Sequence, residues 1–226
     1  MNLIYEGKTK DVYAAGDNEI ELRFKDDVTT ANGIFDPGAN ETGIQIEGIG
    51  QLNVAISQFF FERIAAKNIP LHYISADVEQ ASMRVKPATV FGKGIEVITR
   101  YVAWGSFIRR YGAYIEQATP LDEYMEITIK DDERGDPLIT KDALIALDIM
   151  STDEYEHLVK LQSQISQIVR DELAAKGLIL IDLKLEFGLD QENNVMLIDE
   201  ISTGNMRIRD AEGIVEPLEI ARIILQ

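Results

Sequence analysis

Asp182, Lys184 and Glu186 alternate with Leu183, Leu185 and Phe187 in the stretch GLILIDLKLEFGLD, residues 177–190. In a strand alternate side chains share a face, so a minus, a plus and a minus stand in one row on an otherwise apolar segment. A second apolar run, VMLIDEI at 195–201, follows the turn DQENN and carries Asp199 and Glu200. Pairing the two runs as a hairpin brings Glu186 near Asp199, and two carboxylates on one sheet face repel unless a cation lies between them. Hard oxygen donors of this kind suit magnesium, above all with phosphate oxygens completing the shell. The same row also fits a solvent face on which Lys184 neutralises its neighbours, and the pattern alone leaves both readings open.

Two further stretches carry cations in an acidic chain. YEGKTKDVY at 5–13 sets Gly7 at a bend, with Lys8 and Lys10 two residues apart. Glycine lets backbone approach a ligand closely, and the two lysines can meet polyphosphate. No GxxxxGK[ST] occurs, so this is not a P-loop, and a glycine-containing ribbon covering a nucleotide is the nearer analogy. A solvated hairpin turn would use the same residues. TRYVAWGSFIRRYG at 99–112 places Arg100 near a strand end, Gly105 and Ser106 at a helix start, and Arg109 and Arg110 just beyond. Free amides and a small hydroxyl at a helix start, with arginine alongside, form a phosphate grip. NMRIRD at 205–210 supplies a second arginine pair directly after Asp199-Glu200.

The elements that must hold these groups belong to a chain of 226 residues, 46% hydrophobic, with 39 acidic against 22 basic residues and a net charge of −17. That size suits one large domain or two small ones. The charge argues against nucleic acid and anionic membrane as partners. There is no cysteine, and the two histidines, His72 and His157, stand far apart in sequence, so thiolate and histidine-rich metal centres are not expected. No apolar signal core and no apolar run of membrane-spanning length are read, which points to a soluble, cytoplasmic protein. Strands are expected over LIYEG, KDVYAAG, EIELRF, LHYIS, SMRVKP, IEVITRYV and YMEITIK, and helices over 51–69, 104–112, TKDALIAL and 151–177. Residues 27–50, dense in Gly, Asn, Thr and Asp, read as one long loop. KPATVFGKG at 86–94 reads as a hinge between an N-terminal unit, 1–90, and a C-terminal unit, 91–226.

Taken in order, YEGKTKDVY, ITRYVAWGS, KDDERGDPLIT and the LILIDLKLEFGLD…VMLIDEIS hairpin resemble the SAICAR synthetase (phosphoribosylaminoimidazole-succinocarboxamide synthase) family over nearly the whole chain. The resemblance implies an α/β (α+β) two-lobed fold with antiparallel sheets and an ATP cleft between the lobes. It implies an ATP-dependent ligase of purine biosynthesis that joins the carboxylate of an aminoimidazole carboxylate ribonucleotide to the amine of L-aspartate. SAICAR, ADP and phosphate are the products, by way of an acyl phosphate. ATP and Mg2+ are the implied cofactors. The implied partners are small-molecule substrates, with no nucleic acid or membrane and with room for a homo-oligomer. Residue by residue, Gly7, Lys8, Lys10 and Lys130 fall on the ATP side. Glu186 and Asp199 match the magnesium-side acids, with Lys184 between them and the substrates. Arg100, Ser106 and Arg207 match the grip on the ribonucleotide, and Asp136 and Asp182 the acids near the substrate pocket.

Three positions depart from the family pattern. Gly204 stands where an acid is usual, Arg209 where tryptophan is usual and Ile49 where lysine is usual. The loop before the first long helix also looks expanded by FDPGANETG at 35–43. These departures admit two alternatives: a divergent member acting on a different ribonucleotide or amine, and a non-catalytic nucleotide-binding relative.

Overall fold

The computed structural model describes residues 2–16, 18–31, 33–39 and 41–226. Met1, and Asp17, Asn32 and Asn40 within the stretches read as turn and loop, lie outside the described residues. The N-terminal ribbon is β1 (Asn2–Glu6), β2 (Lys10–Ala14) and β3 (Ile20–Phe24). A small antiparallel sheet of its own follows, made of β4 (Asp27–Ala31), β5 (Ile34–Phe35) and β6 (Glu41–Gln45) in the order β5-β4-β6. The expected long loop over 27–50 is therefore corrected: Gly33 and Pro37-Gly38 mark turns between short strands, on which Val28 and Thr30 are buried. Helix α1 (Ile49–Ala65) leads to β7 (Tyr73–Asp77) and β8 (Ser82–Val85), which complete the first sheet as β1-β2-β3-β8-β7. Ile49 itself is fully buried at the start of α1, a core position rather than a place for a lysine in the site.

The rest of the chain builds around one long strand. β9 (Thr89–Val90), β10 (Ile95–Val102), α2 (Ser106–Tyr111), β11 (Pro120–Ile129), α3 (Lys141–Ala146) and α4 (Thr152–Ala174) precede β12 (Ile179–Leu189). β13 (Val195–Ile198), β14 (Met206–Arg209) and α5 (Pro217–Leu225) follow it. The second sheet runs β11-β10-β12-β13, and β12 pairs in addition with β14 and with β9, which lies in the stretch read as a hinge. α5 was not legible from the sequence; Pro217 opens it, and it buries Ile220, Ala221 and Ile224 in packing that includes α1.

Periodicity explains why β12 sits where it does. Its odd-numbered residues Leu183, Leu185 and Phe187 are buried, as are Val97 and Ile127 on the strands beside it. α4 packs against β10, β12 and β13, presenting Leu158, Leu161, Ile165, Val169 and Leu173 at helical spacing. A capping box between Ser151 and Glu154 fixes where α4 begins. Burying one face against a helix commits the even-numbered residues of β12 to the opposite face. Among the described residues no helix is long and apolar enough to cross a membrane.

β13 is shorter than the sequence suggests, ending at Ile198 because Asp199 takes a φ of +65°. Aspartate tolerates this left-handed conformation better than most residues, yet the turn still needs support. His72 supplies it: the ring is buried, and its Nε2–H donates to the Asp199 carbonyl at 2.8 Å. Burial pushes the His72 imidazole down to about 4, against its hydrogen bond to Asp199, so the ring is neutral at ordinary pH. The unfolded chain takes up a proton on this histidine near 6.5 and the folded chain only near 4, so the histidine's contribution to stability falls as pH falls between them. His72→Gln keeps a donor for the carbonyl but cannot titrate. From neutral pH down to about 4, wild type is expected to lose roughly 3 kcal/mol of unfolding free energy relative to His72→Gln, read from urea unfolding. Carboxylates away from His72 titrate alike in both proteins and cancel in the difference, leaving the histidine and its coupling to Asp199; a difference that does not move with pH would mean His72 is not held neutral.

Candidate active site

Register on three neighbouring strands sets out a polar face. Ile98 of β10 lies opposite Lys184 of β12 on one side and Glu126 of β11 on the other. Two residues on, Arg100 lies opposite Asp182, and two residues back Glu96 lies opposite Thr128. The even-numbered residues therefore share one face, while Thr99 on the reverse face accepts from Gln162 of α4 at 2.8 Å. Two cavities, of about 460 and about 560 Å³, open on this face.

Arginines and their acids line the smaller cavity. Arg100 is fully buried and uses its whole guanidinium: Nε and Nη2 donate to Glu126, Nη1 to Asp182 at 2.7 Å, and Nη2 also to Ser106 Oγ at 2.8 Å. Arg110 donates to both Glu126 oxygens, at 2.5 and 2.6 Å. Arg207 bridges Asp182 at 2.8 Å and Asp36 at 2.6 Å. Burial alone would raise the Asp36 carboxyl, but Arg207 and the Gly38 amide hold it below the usual range. Two glycines close on Arg207. A Cβ at Gly105, whose φ is +56°, would lie 3.2 Å from the guanidinium, and one at Gly38 would lie 2.1 Å from it. Arg100, Ser106, Asp182 and Arg207 thus meet as the sequence suggests, but Arg100 is a buried hub rather than an open grip. The Arg109 side chain, exposed on the rim, makes no hydrogen bond or ion pair with a described residue.

Lysines and acids line the larger cavity. Lys10 pairs with Asp199 at 2.7 Å and Glu200 at 3.1 Å, Lys130 with Glu186 at 2.7 Å and Lys8 with Asp132 at 2.7 Å. Burial opposes the Lys10 charge, but Asp199 and Glu200 outweigh it and raise its pKa above that of an ordinary lysine. The turn that presents these lysines needs Gly7, because a Cβ there would lie 2.4 Å from the Lys10 carbonyl oxygen. Burial and the Asp199 charge push the Glu186 carboxyl up, whereas Lys10 and Lys130 hold Asp199 down against its own burial. Glu186 and Asp199 therefore face one cavity and repel each other, a strain that a shared divalent cation would relieve. Their carboxylate oxygens suit magnesium as a partial shell. Among the described residues no group of three or more metal-type ligands occurs, so oxygens from a ligand would have to complete it. Tyr5, Val12, Val28, Phe35 and Val90 form an apolar wall in the same cavity.

The two cavities share Pro37, Ala39, Glu96, Asp136, Lys184 and Asn205. At this junction Lys184 Nζ donates to Glu96 Oε1 at 2.8 Å. The alternating charges of β12 are thus not a solvent face: Asp182 opens on one cavity, Glu186 on the other and Lys184 on both. Asp136, at φ +49°, accepts from the Asp131 amide at 2.7 Å and ties down the acidic loop after β11. Gly204 lines the larger cavity, with room for a side chain whose nearest neighbours would be Ser202 Oγ at 3.6 Å and Glu200 at 3.8 Å. Sequence reasoning missed Glu96, Glu126 and Asp36. Only Glu96 left a signal, since Glu96, Ile98 and Arg100 alternate on β10 as Asp182, Lys184 and Glu186 do on β12.

Comparison with known proteins places the sequence and the fold. Residues 3–218 match the family model described as SAICAR synthetase. A phosphoribosylaminoimidazole-succinocarboxamide synthase of Clostridium tetani is 52% identical over 227 residues, covering 100% of both chains. The crystal structure of the enzyme of that name from Ehrlichia chaffeensis superposes with a TM-score of 0.88 at 28% identity, covering 99% of this chain and 98% of the other. A structure described as SAICAR synthetase in complex with ADP superposes with a TM-score of 0.82 at 31% identity, covering 93% and 85%. With the family model and a full-length relative in agreement, the chain belongs to the SAICAR synthetase family, the ATP-dependent ligases of purine biosynthesis.

Proposed function

We propose that the two cavities work as one bipartite active site, joining the carboxylate of an aminoimidazole carboxylate ribonucleotide to the amine of L-aspartate as ATP is cleaved to ADP and phosphate. The observation that carries this reading is the shared wall at Lys184 and Glu96, between a lysine- and acid-lined cavity and an arginine-lined one. A ligation through an acyl phosphate needs such an arrangement: a carboxylate held on one side must reach a phosphoryl group held on the other.

On the nucleotide side, residues 1–90 contribute the ribbon, and the apolar wall of Val12, Val28, Phe35 and Val90 suits an adenine ring; the ADP bound by a relative of similar fold supports a nucleotide here. Lys10 and Lys130 exchange their carboxylate partners for phosphate oxygens, and Lys8 reaches them from the ribbon tip. Glu186 and Asp199 would hold a magnesium ion, which when bound draws charge off the phosphates. Residues 91–226 contribute the ribonucleotide side. Arg207 and Ser106 meet the sugar phosphate, Arg100 fixes both through Asp182 and its own bond to Ser106, and Asp136 and Asp182 border the substrate. The ribonucleotide carboxylate attacks the γ-phosphoryl group and ADP leaves; the amine of aspartate then attacks the acyl carbon and phosphate leaves. The side chains position the reactants and offset charge as it moves. The site so read serves soluble cytoplasmic metabolites.

ADP release by the purified protein should require both the imidazole carboxylate ribonucleotide and L-aspartate. Glu186→Gln and Asp199→Asn are each expected to lower turnover by about 100-fold or more with the circular dichroism spectrum unchanged. Normal turnover in either would remove the metal assignment. Arg207→Ala should raise the KM for the ribonucleotide by about tenfold or more through loss of a charge-assisted contact, with the KM for ATP within about twofold of wild type. Equal rises in both would place the sugar-phosphate site elsewhere.

A further inference from the structure

Lys184 stands among competing acids. Asp182 and Glu186 flank it two residues away on the same face of β12, and Asp136 borders the same junction from the loop after β11. A lysine side chain is long and flexible, so its ammonium could settle on any of these. Asp182 is instead engaged by Arg100 and Arg207, and Glu186 by Lys130. Glu96 holds Lys184 at the midpoint. It is 9% exposed and lines both cavities, and both its oxygens are committed: Oε1 accepts from Lys184 Nζ at 2.8 Å and Oε2 from Thr128 Oγ1 at 3.1 Å. The threonine is placed for this by register, directly across β10–β11 from Glu96.

We propose that Glu96 is a positioning residue for the ligation, keeping the Lys184 ammonium at the junction of the two cavities and acting through that ammonium alone. The inference rests on the ligase reading proposed for the same site. In the first step a carboxylate oxygen of the ribonucleotide forms a bond to the γ-phosphorus as the bond from that phosphorus to the β–γ bridging oxygen breaks, the electron pair leaving with ADP. The Lys184 ammonium offsets the negative charge on the group in transfer. Drawn toward Glu186 or Asp182, the same ammonium would serve one reactant and not the other.

The test uses the full chain with ATP, magnesium, the ribonucleotide carboxylate and L-aspartate, and in a parallel assay hydroxylamine in place of aspartate to trap the acyl phosphate as a hydroxamate. Glu96→Gln is expected to lower kcat by about 100-fold while the KM values for ATP and ribonucleotide stay within about twofold, and hydroxamate formation should fall in step. Lys184→Met should lose at least as much, and the double variant should be no worse than Lys184→Met alone, since the two residues act as one unit. Thr128→Val should give a smaller loss in the same direction, and it decides the matter by the same cycle with Lys184→Met if Glu96→Gln does not fold. Multiplying losses in the double variant would overturn the proposal. So would wild-type kcat in Glu96→Gln, or hydroxamate formed at the wild-type rate while the aspartate reaction is lost. The wild-type arm separates the two readings: no ADP release with this substrate pair sinks the ligase assignment, whereas an active wild type beside an unimpaired Glu96→Gln sinks only the role of Glu96.

Discussion

A single buried guanidinium organises the face on which the two cavities open. Arg100 ties together the three central strands and the helix that follows, through Glu126 on β11, Asp182 on β12 and Ser106 on α2. Burying that charge is costly, and only saturated hydrogen bonding makes it tolerable. The arrangement is therefore all-or-none: each carboxylate that satisfies Arg100 is also shared with a more accessible arginine, Glu126 with Arg110 and Asp182 with Arg207. The accessible arginines inherit the rigidity of the buried one. Packing of α4 against the opposite face keeps the sheet from relieving any mismatch by moving, because that face is dense with Leu, Val and Ile.

Such sharing bears on how a chain of net charge −17 can bind polyanions. Most lysines and arginines of the two cavities are already paired with acids; among the described residues Arg109 and Lys93 are the exceptions. Attraction for phosphate then arises by exchange rather than from excess positive charge. A polyphosphate that takes over Lys10 and Lys130 frees Asp199 and Glu186 at the same moment, and those carboxylates repel unless a cation joins them. Nucleotide and divalent ion are coupled in such a site by charge balance, without any conformational switch.

Much of this was legible in the sequence, and the limits have physical causes. Alternation along β12 revealed which side chains share a face, because the two-residue period is a local property of any strand. It could not reveal what lies across from them. That Arg100 meets Glu126 depends on the register of β10 against β11, and that Arg207 meets Asp36 depends on where the small sheet of 27–45 sits, 171 positions away in sequence. The misreading of 27–50 has a related origin. Strands of two to five residues have too few alternations for a periodic signal, and only pairing with neighbours makes them strands. What His72 supports was hidden for the same reason, since its partner is a backbone carbonyl 127 residues away.

The segment after β13 shows how one departure from the family pattern, Gly204, can be harmless to the fold. α1 braces this loop with buried polar side chains: Ser57 Oγ donates to the Ile201 carbonyl at 3.1 Å, and Asn53 Oδ1 accepts from the Thr203 amide and hydroxyl. Within the loop the Ser202 amide donates to Asn205 Oδ1 and the Gly204 amide to Ser202 Oγ. None of these bonds uses a side chain at 204. The path of the backbone is thus set by residues 53, 57, 202, 203 and 205, and the identity of residue 204 decides only what projects toward the larger cavity beside Glu200. An acid there would add a second carboxylate next to one that burial already pushes upward. Glycine leaves Glu200 with Lys10 as its charge partner, so an exchange between acid and glycine at 204 acts on the charge of the cavity and leaves its architecture unchanged.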